Sequence, residues 1–254
     1  MKLLINADDF GWSETCTQAI MRAFDKKIIT TSTMCCNGEA FEYAVDMVSD
    51  SAYKQNIGIH FVLTEGVPLT DAIRKDTYFC DSEGKFHGKM NRYMAISGAR
   101  KELVYKELSA QAERFKKVGL VFEHADSHHH IHTGPVFFPV FSQVMKEYNI
   151  NAIRIHRNLG NISMAKKMYK KGFNSILIGK RRAYTDFFCG FEDMDGLDVN
   201  KVRKSSLEIM CHPDLDSSGV LINRDNSSPY SSPYGVDLFL QYNQLTEIIK
   251  GGCL

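Results

Sequence analysis

The residues of this 254-residue chain best suited to chemistry are two adjacent carboxylates and a dense run of histidines. Asp8 and Asp9 follow a short apolar run, Leu3-Leu4-Ile5-Asn6-Ala7. One aspartate at a strand–helix junction is ordinarily a cap or a turn residue. A pair is less ordinary, because a nearby cation is needed to keep both acids ionised. Beside a divalent ion, one carboxylate can ligate while the other takes a proton as general base. Four histidines, His128, His129, His130 and His132, fall within five positions just after Asp126. That density argues against a merely solvated loop. In an extended chain, His128 and His130 would face one side and His129 the other.

His60 follows Gly58 and Ile59 on an apolar run. Alone it reads as a satisfied core histidine, and it gains weight only if other ligands gather at the same place. One carboxylate with two imidazoles leaves coordination positions open for water and substrate. That set suits zinc and other divalent ions. His212 precedes Pro213 where a strand stops, and an imidazole there can protonate a leaving amine near neutral pH. His87 reads as a surface residue and His156 as structural or substrate-lining. The seven cysteines contain no CxxC pair, so they read as reduced thiols rather than a zinc cage.

The elements that must deliver these side chains alternate between strand and helix. Strands are expected at 3–6, 28–35, 57–63, up to 126, 152–155 and 207–211. Helices are expected at 14–27, with Ser13 as cap, and at 40–48, 101–117, 137–148 and 236–250. Residues 64–98 form a long irregular segment, a length usually kept for function. Alternation of this kind implies parallel strands joined by crossovers. No Rossmann glycine fingerprint or Walker sequence occurs. The expectation is therefore an α/β fold, a distorted (β/α) TIM-like barrel forming a single domain over 1–254. In such a barrel the strand C-termini converge on one face, where active sites sit.

The bulk composition narrows the partners. Hydrophobic residues make up 44%, charged residues 24%, and the formal net charge is +1. No basic excess points to nucleic acid or to an anionic membrane. The N-terminal apolar run is too short for a signal peptide and no segment has transmembrane length, so a cytoplasmic location is expected. A homodimer is expected from the frequency of two-fold assemblies.

Four ordered stretches, 6–11, 58–64, 126–132 and 207–213, resemble the YdjC-like carbohydrate deacetylases. The nearest functional analogue is the chitooligosaccharide deacetylase. The resemblance spans residues 2 to about 215. It implies a distorted β/α barrel, one divalent metal ion (Mg2+ or Zn2+) and hydrolysis of the acetamide of an N-acetylated mono- or oligosaccharide. By motif, His60 and His128 match metal-binding histidines and His212 matches the acid. Asp9 is carried over as the carboxylate ligand and Asp8 as the base, by analogy with polysaccharide deacetylases that also carry paired aspartates. Arg154 is expected to hold the base or contact substrate, and Asp126 to orient an imidazole. Trp12, Tyr78, Phe79, Phe86 and Tyr93 are candidates to stack on a sugar ring, with ordinary packing as the alternative. The competing functions are a metal-dependent phosphoesterase, disfavoured by the lack of an early HxH pair, and a non-catalytic sugar-binding protein.

Overall fold

A computed structural model of the chain describes residues 2–88, 90–93, 95–122, 124–160, 162–179, 183–193, 202 and 204–230. The helix expected at 236–250 and Cys253 lie outside the described residues. Strand β1 (Lys2–Phe10) leads into α1 (Glu14–Asp25), whose first turn is capped where the Cys16 amide donates to Ser13 Oγ at 3.2 Å. Cys16, Ala19, Ile20, Ala23 and Phe24 face the core, as their helical spacing requires. The helix ends two residues earlier than expected, because Lys27 turns left-handed (φ 57°). The same turn delays β2 to Thr31–Cys35. Helix α2 (Phe41–Ser49) and β3 (Ile57–Phe61) follow.

Among the described residues of the long irregular segment only the short α3 (Asp71–Arg74) is helical, and α4 (Gly98–Lys117) closes it. Two buried polar residues of α4 anchor the start of that segment. Gln111 accepts from the Val62 amide at 2.9 Å and donates to the Val62 carbonyl at 2.7 Å. Glu107 accepts from the amides of Leu69 and Thr70 at 3.0 and 2.8 Å. Strand β4 (Ala125–Ser127) is short and passes into a 3-10 turn at His128–Thr133, followed by α5 (Phe138–Glu147). Helix α6 (Met164–Ile178) and β5 (Phe187–Gly190) were not foreseen, while β6 (Ser206–Cys211) was. A small antiparallel sheet of β7 (Pro213–Leu215), β8 (Leu221–Asn223) and β9 (Ser228–Pro229) ends the described chain.

The six long-range strands are all parallel, in the order β4-β3-β2-β1-β6-β5. The segment expected as a strand at 152–155 makes only isolated bridges, Ile153 to Ala125 on one side and Ala152 to Ala183 on the other. Beyond it, the Asn158 amide donates to Phe188 O at 3.0 Å. The open side of the curled sheet is thereby spanned by isolated two-bond bridges instead of continuous ladders, which is the distortion of the barrel. Gly58 shows how closely the walls approach: a Cβ there would sit 2.5 Å from His124 O. No helix among the described residues is long and apolar enough to cross a membrane.

Candidate active site

Successive residues in a strand point to opposite faces, so Asp8 and Asp9 should diverge. The pairing of β1 with β2 shifts register between Ala7 and Phe10, and Asp9 adopts a left-handed φ of 70°. An irregularity of this kind re-aims a side chain. Asp9 ends fully buried, with Oδ1 as a meeting point. His128 Nδ1 lies 3.0 Å from it, His60 Nε2 3.3 Å and Cys35 Sγ 3.8 Å. Oδ2 receives the Arg224 guanidinium. Burial works to raise the Asp9 pKa, but hydrogen bonds from His128 and His60 hold the carboxyl well below its usual range.

Behind His60, Nδ1 lies 2.6 Å from Asp126 Oδ1. Burial pulls this imidazole down, yet the Asp126 carboxylate wins and pushes it up to about 10. Asp126 Oδ2 also accepts from Thr33 Oγ1 at 3.1 Å and pairs with Arg154 at 2.7 Å.

Arg154 is the hub of the second carboxylate. Its two terminal nitrogens donate to both Asp8 oxygens at 2.6 Å, and its Nε donates to Glu208 at 2.6 Å. Asn6 Nδ2 adds a bond to Asp8 Oδ1 at 2.7 Å. Burial opposes the charge on Asp8, but the guanidinium keeps it far into the ionised range. Glu208 fares differently: burial raises it to about 7, and Arg154 offsets this only in part. At the exit of β6, His212 Nδ1 lies 2.6 Å from Asp225 Oδ2. Burial lowers the His212 pKa, and the Asp225 bond with the charges of Asp8 and Asp9 raises it overall.

Asp8, Asp9, His60, Asp126, His128 and Arg154 thus form one connected network, and the charges of Asp8 and Asp9 reach His212. Trp12 stacks on the His128 ring, with centroids 5.3 Å apart and planes 17° apart. The expected alternation through the histidine run fails. The strand stops at Ser127, and His129 and His130 are both left-handed, with φ 52°. His132 instead bonds Ser127 Oγ (2.6 Å) and Arg154 O (3.0 Å), and burial takes it down to about 4. His156 packs edge-on to Phe173, and burial takes it down to about 3; this is a structural role. Phe79 and Phe86 are core residues rather than a sugar platform, whereas Tyr93 is exposed. Arg224 and Asp225 were not foreseen, since they sit in a polar turn with no periodicity. Glu208 did carry a signal, as a lone acid between Leu207 and Ile209.

The donor set fits a divalent cation. Among the described residues, donor atoms lie within 4.8 Å of one another in Asp9–Cys35–His60, Asp8–His60–Asp126 and Glu65–His128–His129; Asp9 Oδ1 ties the first group to His128 Nδ1, and Asp126 stands behind the His60 imidazole as orienting carboxylates do. Burial first, and then the Asp9 charge, holds Cys35 as a thiol in the metal-free protein, so it would have to lose that proton to act as a fourth donor.

Residues 2–247 match the sequence profile of the YdjC-like proteins. The chain belongs to the YdjC-like family. A carbohydrate deacetylase of Clostridium beijerinckii is 33% identical over 240 residues, covering 92% of this chain and 88% of that one. One from Brevibacillus brevis is 32% identical over 87% of this chain and 84% of its own length. A crystal structure from Enterococcus faecalis V583, described as a cellobiose-phosphate cleavage protein, superposes with a TM-score of 0.68. It is 24% identical and covers 98% of this chain and 94% of that chain, so it speaks to the YdjC-like fold alone.

Proposed function

We propose that this YdjC-like chain is a divalent-cation-dependent carbohydrate deacetylase that hydrolyses the acetamide of an N-acetylated sugar. The convergence of His60 and His128 on Asp9, one residue from an Asp8 clamped by Arg154, carries this reading. Relatives named carbohydrate deacetylases support the reaction class. The ligands would be Asp9, His60 and His128, with Mg2+ or Zn2+ as the ion. Such an ion supplies Lewis-acid polarisation of the amide carbonyl and acidifies a water.

The remaining chemistry belongs to the chain. Asp8 accepts the proton of the attacking water, and Arg154 keeps it ionised and aimed. The water oxygen bonds to the carbonyl carbon, the C–N bond breaks, and the amine leaves with a proton from His212. Asp225 holds His212 Nδ1, so Nε2 is the nitrogen left to donate. Acetate and a free amino sugar result.

Diacetylchitobiose, with or without a 6-phosphate, is the substrate we infer from the family likeness. The test is acetate release from a panel of N-acetylated sugars by chelator-treated and cation-supplemented protein. Turnover only after cation supplementation supports the reading. Phosphate release from generic esters without acetate release would overturn it in favour of a phosphoesterase. Sugar binding without turnover in cation-replete protein would mark a non-catalytic binder.

A further inference from the structure

Glu65 stands at the rim of this site without a part in the chemistry above. The backbone that carries it is held from both ends, by Gln111 at Val62 and by Glu107 at Leu69 and Thr70. Asn37 Nδ2 adds a bond to the Glu65 carbonyl at 3.1 Å. From this fixed base, Glu65 Oε2 lies 3.4 Å from His128 Nε2 and Oε1 lies 3.6 Å from His129 Nε2. His128 turns its other nitrogen, Nδ1, to Asp9 Oδ1. His60 is built the same way with the nitrogens exchanged: Nε2 faces Asp9 and Nδ1 faces Asp126. Each imidazole at Asp9 therefore has a carboxylate at its back.

We propose that Glu65 is a positioning residue for the cation site, accepting the Nε2 proton of His128 when Nδ1 gives its lone pair to the cation. This rests on Asp9, His60 and His128 being the ligands. A neutral imidazole has one N–H and one lone pair, so an acceptor behind Nε2 selects the tautomer with Nδ1 free. The Trp12 indole fixes the plane of the same ring, and Glu65 fixes its direction within that plane.

The test is zinc binding to the metal-stripped full chain, by competition with a chromophoric chelator, for wild type, Glu65→Ala and Glu65→Gln. Wild type should bind one ion. Glu65→Ala should still bind one, about 10- to 100-fold more weakly. Glu65→Gln, which keeps an acceptor oxygen, should recover part of that loss. NMR of zinc-loaded protein should show a His128 Nε2–H that exchanges slowly with solvent in wild type and faster in Glu65→Ala, with thermal unfolding unchanged. Absence of zinc binding by wild type would overturn the ligand assignment and this proposal together. Tight binding by wild type and by Glu65→Ala alike would overturn the proposal alone. Two ions in wild type and one in Glu65→Ala would also overturn it, by making Glu65 a ligand of a second ion.

Discussion

Asp8 and Asp9 are neighbours in sequence that keep separate company. Asp8 is held by Arg154 and Asn6, whereas Asp9 faces two imidazoles and Arg224. Their substitutions should therefore fail differently. Asp8→Asn should leave cation binding intact and lower kcat by about 10²- to 10⁴-fold, the range for a lost general base. His60→Ala and His128→Ala should each abolish tight cation binding, read by equilibrium dialysis. Full activity in either variant would sink the ligand assignment. Asp225→Asn should lower kcat more than it raises KM, because it frees the His212 ring without touching the cation ligands. These residues were legible in sequence to different degrees. Asp8, Asp9 and His212 stood out because each ends an apolar run, His128 because it opens a run of histidines, and His60 only in the company of the others. Arg224 and Asp225 reach the site from the turn between β8 and β9, which places them there by tertiary geometry that no local pattern encodes.

At the scale of elements, α4 does more than cover the sheet. Its Glu107 and Gln111 are fully buried and satisfy loop backbone that would otherwise be stranded without water. Gln111→Ala would orphan the Val62 amide and carbonyl, each costing about 1–3 kcal/mol. Chemical denaturation should show that loss, and cation affinity should fall with it, since the same segment carries Glu65. Helix periodicity placed α1, α2, α4 and α5 within a few residues. It missed α6, where four lysines and a mid-helix glycine blur the apolar face. It also promised a strand at 152–155, whose apolar Ile153 and Ile155 are buried but whose ladder is reduced to isolated bridges.

For the whole molecule, the barrel interior holds three carboxylates, Asp8, Asp126 and Glu208, around one guanidinium. Glu208 is the member that burial lifts to about 7, against about 4.5 for a free glutamate. The folded protein thus binds more protons than the unfolded chain between those values. The stability contributed by this group is fully present below pH about 4.5 and is lost as pH rises through 7. Glu208→Gln should flatten that decline, so calorimetric Tm profiles of variant and wild type should diverge between pH about 4.5 and 7 and run parallel above it. Arg154→Met should cost about 3–5 kcal/mol, because it strands buried charges.

Arg154 also sits on the wall with the fewest ladder bonds. Strands β1 and β6 pair over six consecutive residues, whereas the 152–158 segment is attached by isolated bridges. The guanidinium reaches from that loosely attached wall to Asp8 on β1, Asp126 on β4 and Glu208 on β6. It acts as a cross-brace, substituting side-chain ties for missing rungs. Amides near Ile153 should then exchange with solvent sooner than those of β1, and sooner still once the brace is cut. The group that clamps Asp8 also holds the curled sheet together across its weakest side.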